Sequence, residues 1–402
     1  MVLIDAEFEP AKIPEEEAYE GTEVDPHVYA LLPKDCKIVW VATHGASFWA
    51  VSYKITVQLS HEGPEKSYFM KVFMHERGSE MVEAEYESTK AWHDVVPANL
   101  AKPTGWGELA NKPGRFFILL EFRDMADEMP SASEFVAVVA TAHQKSVSPT
   151  GKFGFHVTTF AGDQPNDNRW CNTWEEWFTR AMKNTMENEL RTQGSHQELE
   201  ELSEKILTKV IPRLLRPMET DGRKIKPSLL HGDLWHGNVG IDNETDEPVL
   251  YDCGSFYGHN ECDFSSWRAA RYRTNRAHVK AYFRIAEITD PAEDFEDRYA
   301  LYAARNDLAV STCWPANKRM RTLALDEFRR LVEKYADGYE GYENAQFNIE
   351  GASQHNADAF QKNFTTNTEL VNEVTGGIGS SAADLGQNGV HSTEHEVSHV
   401  HV

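Results

Sequence analysis

The sequence predicts an α+β fold of two lobes, a small β-rich one followed by a larger, mainly helical one. Three observations point there. Apolar runs of strand length crowd the stretch from Lys37 to Phe122, and helical patterning dominates from Glu134 onward. Between them, the continuous apolar run Phe116-Phe117-Ile118-Leu119-Leu120 ends in a short connector, Glu121-Phe122-Arg123.

Each element follows from its pattern. Lys37-Ile38-Val39-Trp40-Val41, Ala50 to Val57 and Tyr68 to Phe73 read as strands, with the small-residue turn Thr43-His44-Gly45-Ala46-Ser47 between the first two. A helix is expected from about Ser79 to Trp92. Further helices are expected over Glu134–Lys145 and Thr173–Leu190, and again after Ser195-His196-Gln197-Glu198, a capping-box pattern. The helical run resumes after Asp263 and continues to about Tyr342. Residues 1–27 are acidic and are expected to form an extension with little structure of its own. Residues 28–123 make the first lobe, 124–345 the second, and the Asn-, Gly- and Ser-rich stretch 346–402 a flexible tail.

Composition narrows the partners. A net charge of −24 opposes a nucleic-acid partner, which demands a basic footprint, and equally opposes anionic lipid. It tolerates a cationic substrate, although acidic charge also simply keeps a protein soluble. The five cysteines are scattered, with no C-x-x-C pair, so neither a zinc site nor a disulfide framework is indicated. No stretch approaches the length of a membrane span, and the N-terminus has no signal-peptide pattern, which makes the cytoplasm the simplest expected compartment.

The chemistry concentrates in Leu229-Leu230-His231-Gly232-Asp233-Leu234-Trp235-His236-Gly237-Asn238. Asp233 and Asn238 stand at the D-x-x-x-x-N spacing of protein-kinase catalytic loops, where the Asp accepts the attacking hydroxyl's proton and the Asn holds magnesium. Pro248-Val249-Leu250-Tyr251 then delivers Asp252, an oxygen ligand of the kind Mg²⁺ takes. Asp, Asn and Gly are ordinary turn formers, and a lone D-x-x-x-x-N would carry nothing. The conjunction with a following apolar strand and D-x-G does. Upstream, Lys71 lies in a strand of residues one would bury, a costly place for an ammonium without a partner. Glu85 falls on the apolar stripe Met81, Val82, Tyr86, Thr89, Trp92 of the next helix and supplies that partner, matching the Lys–Glu pair of kinases. Gly45, Ala46 and Ser47 would cover the phosphates despite lacking G-x-G-x-x-G, and the main chain at Glu121, Phe122 and Arg123 would meet adenine. ATP and Mg²⁺ are thus the expected cofactors.

Two further stretches carry a resemblance. H-G-D-L-W-x-G-N at 231–238 with Y-D-x-x-S-F-Y-G-H-x-E at 251–261, and Lys152-Phe153-Gly154-Phe155-His156-Val157-Thr158-Thr159 with Trp170, Trp174 and Phe178, resemble the fructosamine-3-kinase (ketosamine-3-kinase) family. That family belongs to the aminoglycoside-phosphotransferase-like superfamily. The resemblance covers roughly residues 36–340. It implies a protein-kinase-like two-lobed fold and ATP-dependent phosphorylation of the 3-hydroxyl of a ketosamine, free or on protein lysines, which leads to deglycation. Carried over by motif, Asp233 is the base, Asn238 and Asp252 bind magnesium, and Lys71 with Glu85 contacts the phosphates. Trp235 is expected to stack on the sugar. His156, His259 and Glu261 are expected either to shape the acceptor pocket or to support its loops. The sequence departs from the family at Asp252-Cys253-Gly254, where Asp-Pro-Ala is usual, at His236, and in its glycine-poor first turn.

Two rival readings stand beside this one: a kinase of the same fold acting on an aminoglycoside or choline, and a pseudokinase scaffold. His391, His395, His399 and His401 recur in the tail without apolar periodicity to hold them, and suit adventitious metal capture better than a site.

Overall fold

Strands form where apolar residues alternate or run together, and here they assemble one six-stranded sheet. In chain order the first lobe contains β1 (Glu20–Gly21), α1 (Pro26–Tyr29), β2 (Lys37–Ala46), β3 (Ala50–Gln58), β4 (Glu65–Phe73), α2 (Gly78–Val95), β5 (Pro103–Glu108) and β6 (Phe116–Glu121). The sheet order is β1-β2-β3-β4-β6-β5. The structure, a computed structural model, describes residues 14–349 except Phe48 and Asp127.

The unbroken apolar run of β6 is explained by burial on both faces. Phe117 and Leu119 join Val41, Ile55, Val57 and Val72 on one side, while Ile118 and Leu120 join Phe73, Met81 and Val82 under α2 on the other. β5 was not foreseen, because Pro103, Gly105 and Gly107 mask the strand pattern. The expectation for residues 1–27 is corrected over its described part. Glu17 is buried, accepts the Tyr53 hydroxyl and pairs with Lys112 at 2.8 Å, and β1 joins the edge of the sheet, so residues 14–27 dock on the lobe. Residues 1–13, the tail from 350 and its four histidines lie outside the described residues.

The second lobe holds β7 (Met125–Ala126), α3 (Ala132–Lys145), β8 (Phe160–Ala161), β9 (Gln164–Pro165), α4 (Trp174–Gln193), α5 (Gln197–Lys205) and α6 (Ile211–Leu215). There follow β10 (Ser228–Leu230), β11 (Val239–Asp242), β12 (Pro248–Leu250), β13 (Phe256–Gly258), α7 (Arg276–Tyr282), α8 (Phe295–Cys313), α9 (Arg319–Lys334) and α10 (Gly338–Ile349). Its core is aromatic: Trp174 stacks on Trp177 at 5.1 Å, and Trp177 on Phe256 at 4.3 Å. The cap of α5 is His196, whose Nδ1 accepts the Leu199 amide at 3.2 Å, rather than the Ser195 of the expected capping box.

Two short ladders position the chemistry. β10 pairs antiparallel with β13, bringing Leu230 opposite Phe256, and β11 pairs with β12, bringing Val239 opposite Leu250. The loops 231–238 and 251–255 therefore leave and enter these ladders side by side.

Candidate active site

The two loops are stitched backbone to backbone. The Gly254 amide donates to the His231 carbonyl at 2.9 Å, and the Tyr251 amide to the Asn238 carbonyl at 3.1 Å. Gly232 has φ +83°, and a Cβ there would come 2.2 Å from the Gly254 carbonyl oxygen, so this crossing requires glycine. Asp252 itself adopts a left-handed φ of +57°, which turns the chain sharply between β12 and β13.

Sequence reasoning missed the residue beneath this crossing. Asp263 is buried and accepts the amides of His231 and Gly232, each at 2.9 Å, while its Oδ2 lies 3.1 Å from His143 Nε2. Burial pushes its pKa up, but His143, His231 and the Gly232 amide outweigh this and hold it below the usual carboxylate range. An acid within the apolar-patterned run Asp263-Phe264-Ser265-Ser266-Trp267 was the available signal.

On this platform Asn238 Nδ2 donates to Asp233 twice, to Oδ2 at 2.8 Å and to the main-chain carbonyl at 2.9 Å. Asp233 is open to solvent, and desolvation by the protein groups crowded round its carboxylate raises its pKa to about 6. Hydrogen bonds from Asn238 and the Trp235 side chain oppose the rise, and the charge of Asp252 adds to it. From the sheet, Lys71 Nζ reaches Glu85 at 2.8 Å and Asp252 at 2.9 Å. Its own desolvation would favour the neutral amine, but the two carboxylates keep it charged. Burial pushes Glu85 up, countered by Lys71 and reinforced by Asp252.

α2, which carries Glu85, is tied to the second lobe at several points. Ser88 Oγ accepts the Ser255 amide at 3.0 Å, Trp92 Nε1 donates to the Leu230 carbonyl at 3.2 Å, and Glu87 meets His156 Nε2 at 2.9 Å.

The remaining expected residues are placed as follows. Gly45 lies opposite Ser52, and Ser52 opposite Lys71, so the turn through Ala46 and Ser47 sits in the same row as the lysine. Ser47 closes that turn through its amide on the Ala50 carbonyl at 2.8 Å. In the connector, the amides of Glu121 and Phe122 are already bonded to the carbonyls of Lys102 and Ser67. Glu121 pairs with Lys66, and Arg123 reaches Asp242 at 3.0 Å across to the second lobe. Lys54 Nζ sits 4.1 Å from the Phe122 ring centroid. Trp235 lies beside Asp233, its ring folded across Gly237.

His259 and Glu261 are fully buried. His259 holds the hydroxyls of Tyr302 and Thr289 at 2.9 and 2.8 Å, and Glu261 holds Arg298 at 2.9 Å and the Thr289 amide at 2.9 Å. With their polar atoms taken by protein groups, both support the loop from within. The pocket-lining alternative does not fit them. His156 is half exposed and meets Glu87 through Nε2.

The metal-ligand expectation fits the donor set. With its nitrogen on Asp233, the Asn238 amide leaves Oδ1 for a cation, and Asp252 has one carboxylate oxygen beyond the one on Lys71. No cluster of three or more His, Cys, Asp or Glu able to hold a metal occurs among the described residues.

A strand-borne lysine paired to a helix glutamate, set over an Asp–Asn–Asp group on two adjoining loops between a β-lobe and a helical lobe, defines the aminoglycoside-phosphotransferase-like class of two-lobed kinase folds. A crystal structure from Thermobifida fusca, provisionally named a fructosamine-3-kinase, superposes with a TM-score of 0.61 at 20% identity, over 77% of this chain and all of that one. A thermostable mutant of aminoglycoside phosphotransferase APH(4)-Ia, in ternary complex with AMP-PNP and hygromycin B, matches with a TM-score of 0.50 at 14% identity, over 74% of this chain and 94% of that one.

Within that class the family is specific. The family model for fructosamine kinase matches residues 51–312, and the chain belongs to that family. The chloroplastic protein-ribulosamine 3-kinase of Arabidopsis thaliana is 29% identical over 237 residues, covering 59% of this chain and 68% of the plant protein.

Proposed function

We propose that this protein is an ATP-dependent ketosamine 3-kinase, transferring the γ-phosphoryl group to the 3-hydroxyl of a ribulosamine or fructosamine adduct. The observation that carries the reading is the convergence of Lys71 on Asp252 at 2.9 Å beside the Asp233–Asn238 pair at 2.8 Å, in a chain of the fructosamine kinase family.

In this reading residues 28–123, with 14–27 docked on them, form the nucleotide lobe and 124–345 the catalytic and acceptor lobe. The Asp233 carboxylate accepts the proton of the attacking hydroxyl. Lys71, held by Glu85, neutralises phosphate charge, and the turn at Gly45, Ala46 and Ser47 covers the phosphates. The amides of Glu121 and Phe122 are spent within the sheet, so the main-chain groups of Glu121, Phe122 and Arg123 other than those two amides meet adenine. Asn238 and Asp252 would hold magnesium, which would offset the charge of the phosphates. Positioning and electrostatics supply most of the acceleration.

A 3-phosphate sits on C3, α to the ketosamine's C2 carbonyl. When C1 gives up a proton to form the 1,2-enaminol, phosphate departs from the allylic C3 and the resulting imine hydrolyses to free the amine, so phosphorylation labilises the adduct and serves deglycation. The five free cysteines suit a reducing compartment, for which the cytoplasm is our reading, and no helix among the described residues is long and apolar enough to cross a membrane.

The test is phosphate transfer from ATP across a panel of synthetic ribulosamines, fructosamines, aminoglycosides and choline. Magnesium-dependent transfer to the ketosamines supports the reading; transfer confined to the other acceptors, or none at all, contradicts it.

A further inference from the structure

A cavity of about 550 Å³ opens in the second lobe, and none of Lys71, Asp233, Asn238 and Asp252 lines it. Its size is that of a small-molecule site. Met218, Ile225, Ala286 and Ile288 supply apolar wall. Its charges are sorted by segment. Lys224 and Lys226 come from the stretch before β10, Glu287 and Asp290 from the loop after α7, and all four are exposed. Lys226 Nζ donates to the carbonyls of His143 and Gln144 at 2.9 and 2.5 Å, so it is held by carbonyls and keeps its charge unpaired by an acid.

The cavity floor is one end of a directed chain of hydrogen bonds. Asp263, ionised beneath the His231 and Gly232 amides, can only accept. In the neutral ring His143 Nε2 therefore carries the proton, toward Asp263 Oδ2 at 3.1 Å, and Nδ1 accepts the Tyr282 hydroxyl at 2.9 Å. Burial pushes the Tyr282 pKa up, so the phenol keeps that proton. Its oxygen in turn accepts Asn260 Nδ2 at 3.0 Å. Donors thus run one way, from Asn260 through Tyr282 and His143 to Asp263, and the chain ends under the first residues of the loop that carries Asp233. At the other end Asn260, which lines the cavity, keeps Oδ1 as an acceptor.

A ligand that matches these groups is dipolar. Its ammonium meets Asn260 Oδ1, Glu287 and Asp290, its carboxylate meets Lys224 and Lys226, and an apolar side chain covers the wall. We propose that the cavity is a second binding site, for a small α-amino acid with an apolar side chain, whose occupancy is transmitted to the loop 231–238 through Asn260, Tyr282, His143 and Asp263. An ammonium on Asn260 Oδ1 makes Nδ2 a stronger donor, and each donor down the chain strengthens the next. The Asp263 carboxylate is then fixed more firmly beneath the His231 and Gly232 amides. Binding at one site is coupled in this way to order at the other.

The experiment titrates the whole chain with L-leucine by NMR, beside 4-methylpentanoate, which lacks the ammonium, and isopentylamine, which lacks the carboxylate. Leucine binds more tightly than either, and Lys224→Glu or Glu287→Lys, both at exposed positions, weakens it about fivefold. Amide hydrogen exchange then reads the coupling. Saturating leucine slows exchange at His231 and Gly232 about threefold in wild type, and Tyr282→Phe binds leucine without that slowing. No binding at about 10 mM leucine, equal binding of the two analogues, or indifference to both charge reversals overturns the site. Unchanged exchange in leucine-saturated wild type overturns the coupling. Both readouts are independent of phosphate transfer, so they stand whatever becomes of the kinase reading.

Discussion

Asn238 donates its side-chain nitrogen to the Asp233 carboxylate at 2.8 Å. One hydrogen bond thus orients the proposed base and turns the amide oxygen of the proposed metal ligand away from it. The two roles are coupled through a single planar group, and the first prediction follows from that coupling.

Asn238→Ala removes both functions together. The magnesium concentration for half-maximal rate is expected to rise about tenfold or more, and kcat to fall about a hundredfold. A magnesium titration at saturating ATP measures both; an unchanged magnesium requirement would speak against Asn238 as a ligand.

Lys71 sits between two carboxylates, at 2.8 Å from Glu85 and 2.9 Å from Asp252. Lys71→Met leaves those acids facing one another without a cation. Turnover is expected to drop about 10²- to 10³-fold with weakened nucleotide binding. Single-turnover kinetics and a nucleotide titration check this, and retention of wild-type affinity would detach Lys71 from the phosphates.

Gly232→Ala tests the crossing of the two loops. The new Cβ would meet the Gly254 carbonyl at 2.2 Å on a backbone of φ +83°. The expected cost is at least about 3 kcal/mol, with loss of turnover because His231, Gly232 and Gly254 shift together. Chemical denaturation reads the stability, and a variant as stable as wild type contradicts the packing described.

His259 gives stability a pH dependence of known sign. Burial lowers its pKa to about 4 from an ordinary 6.5. Above pH 6.5 the ring is neutral whether folded or not, and its hydrogen bonds to Tyr302 and Thr289 are intact. Between 6.5 and 4 the unfolded chain takes up a proton that the folded chain refuses. Folding therefore loses about 3 kcal/mol in full across that window. In His259→Gln that loss is absent, so the stability gap between wild type and variant narrows as pH falls from 7 to 4.5. Parallel curves over that range would refute the assignment.

Several parts of the molecule could be read before any coordinates. The strands from Lys37, Ala50, Tyr68 and Phe116 announced themselves because burial on one or both faces leaves an apolar signature, and the inward Glu85 stood out on the stripe of α2. The spacing of Asp233, Asn238 and Asp252 carried chemistry because it is set locally, by one strand–loop–strand unit. What stayed hidden depends on long-range pairing. Asp263 reaches the His231 and Gly232 amides from about thirty residues away; its aromatic neighbours Phe264 and Trp267 hint at burial but do not name those partners. His259 and Glu261 lie in a motif that looks functional, yet their partners Tyr302, Thr289 and Arg298 come from α8 and the loop before it, which decides that they are internal supports. Residues 14–27 looked like an unstructured acidic leader because the groups that neutralise Glu17 lie far along the chain.

The central claim is that Asp233 takes the proton of an acceptor hydroxyl while Lys71, Asn238 and Asp252 gather one metal-bound triphosphate. Asp233→Asn, assayed with ATP, magnesium and a synthetic ribulosamine, separates binding from chemistry. The account predicts nucleotide affinity like that of wild type and a kcat lower by about 10² to 10⁴. A variant that forms the 3-phosphate at the wild-type rate would contradict it.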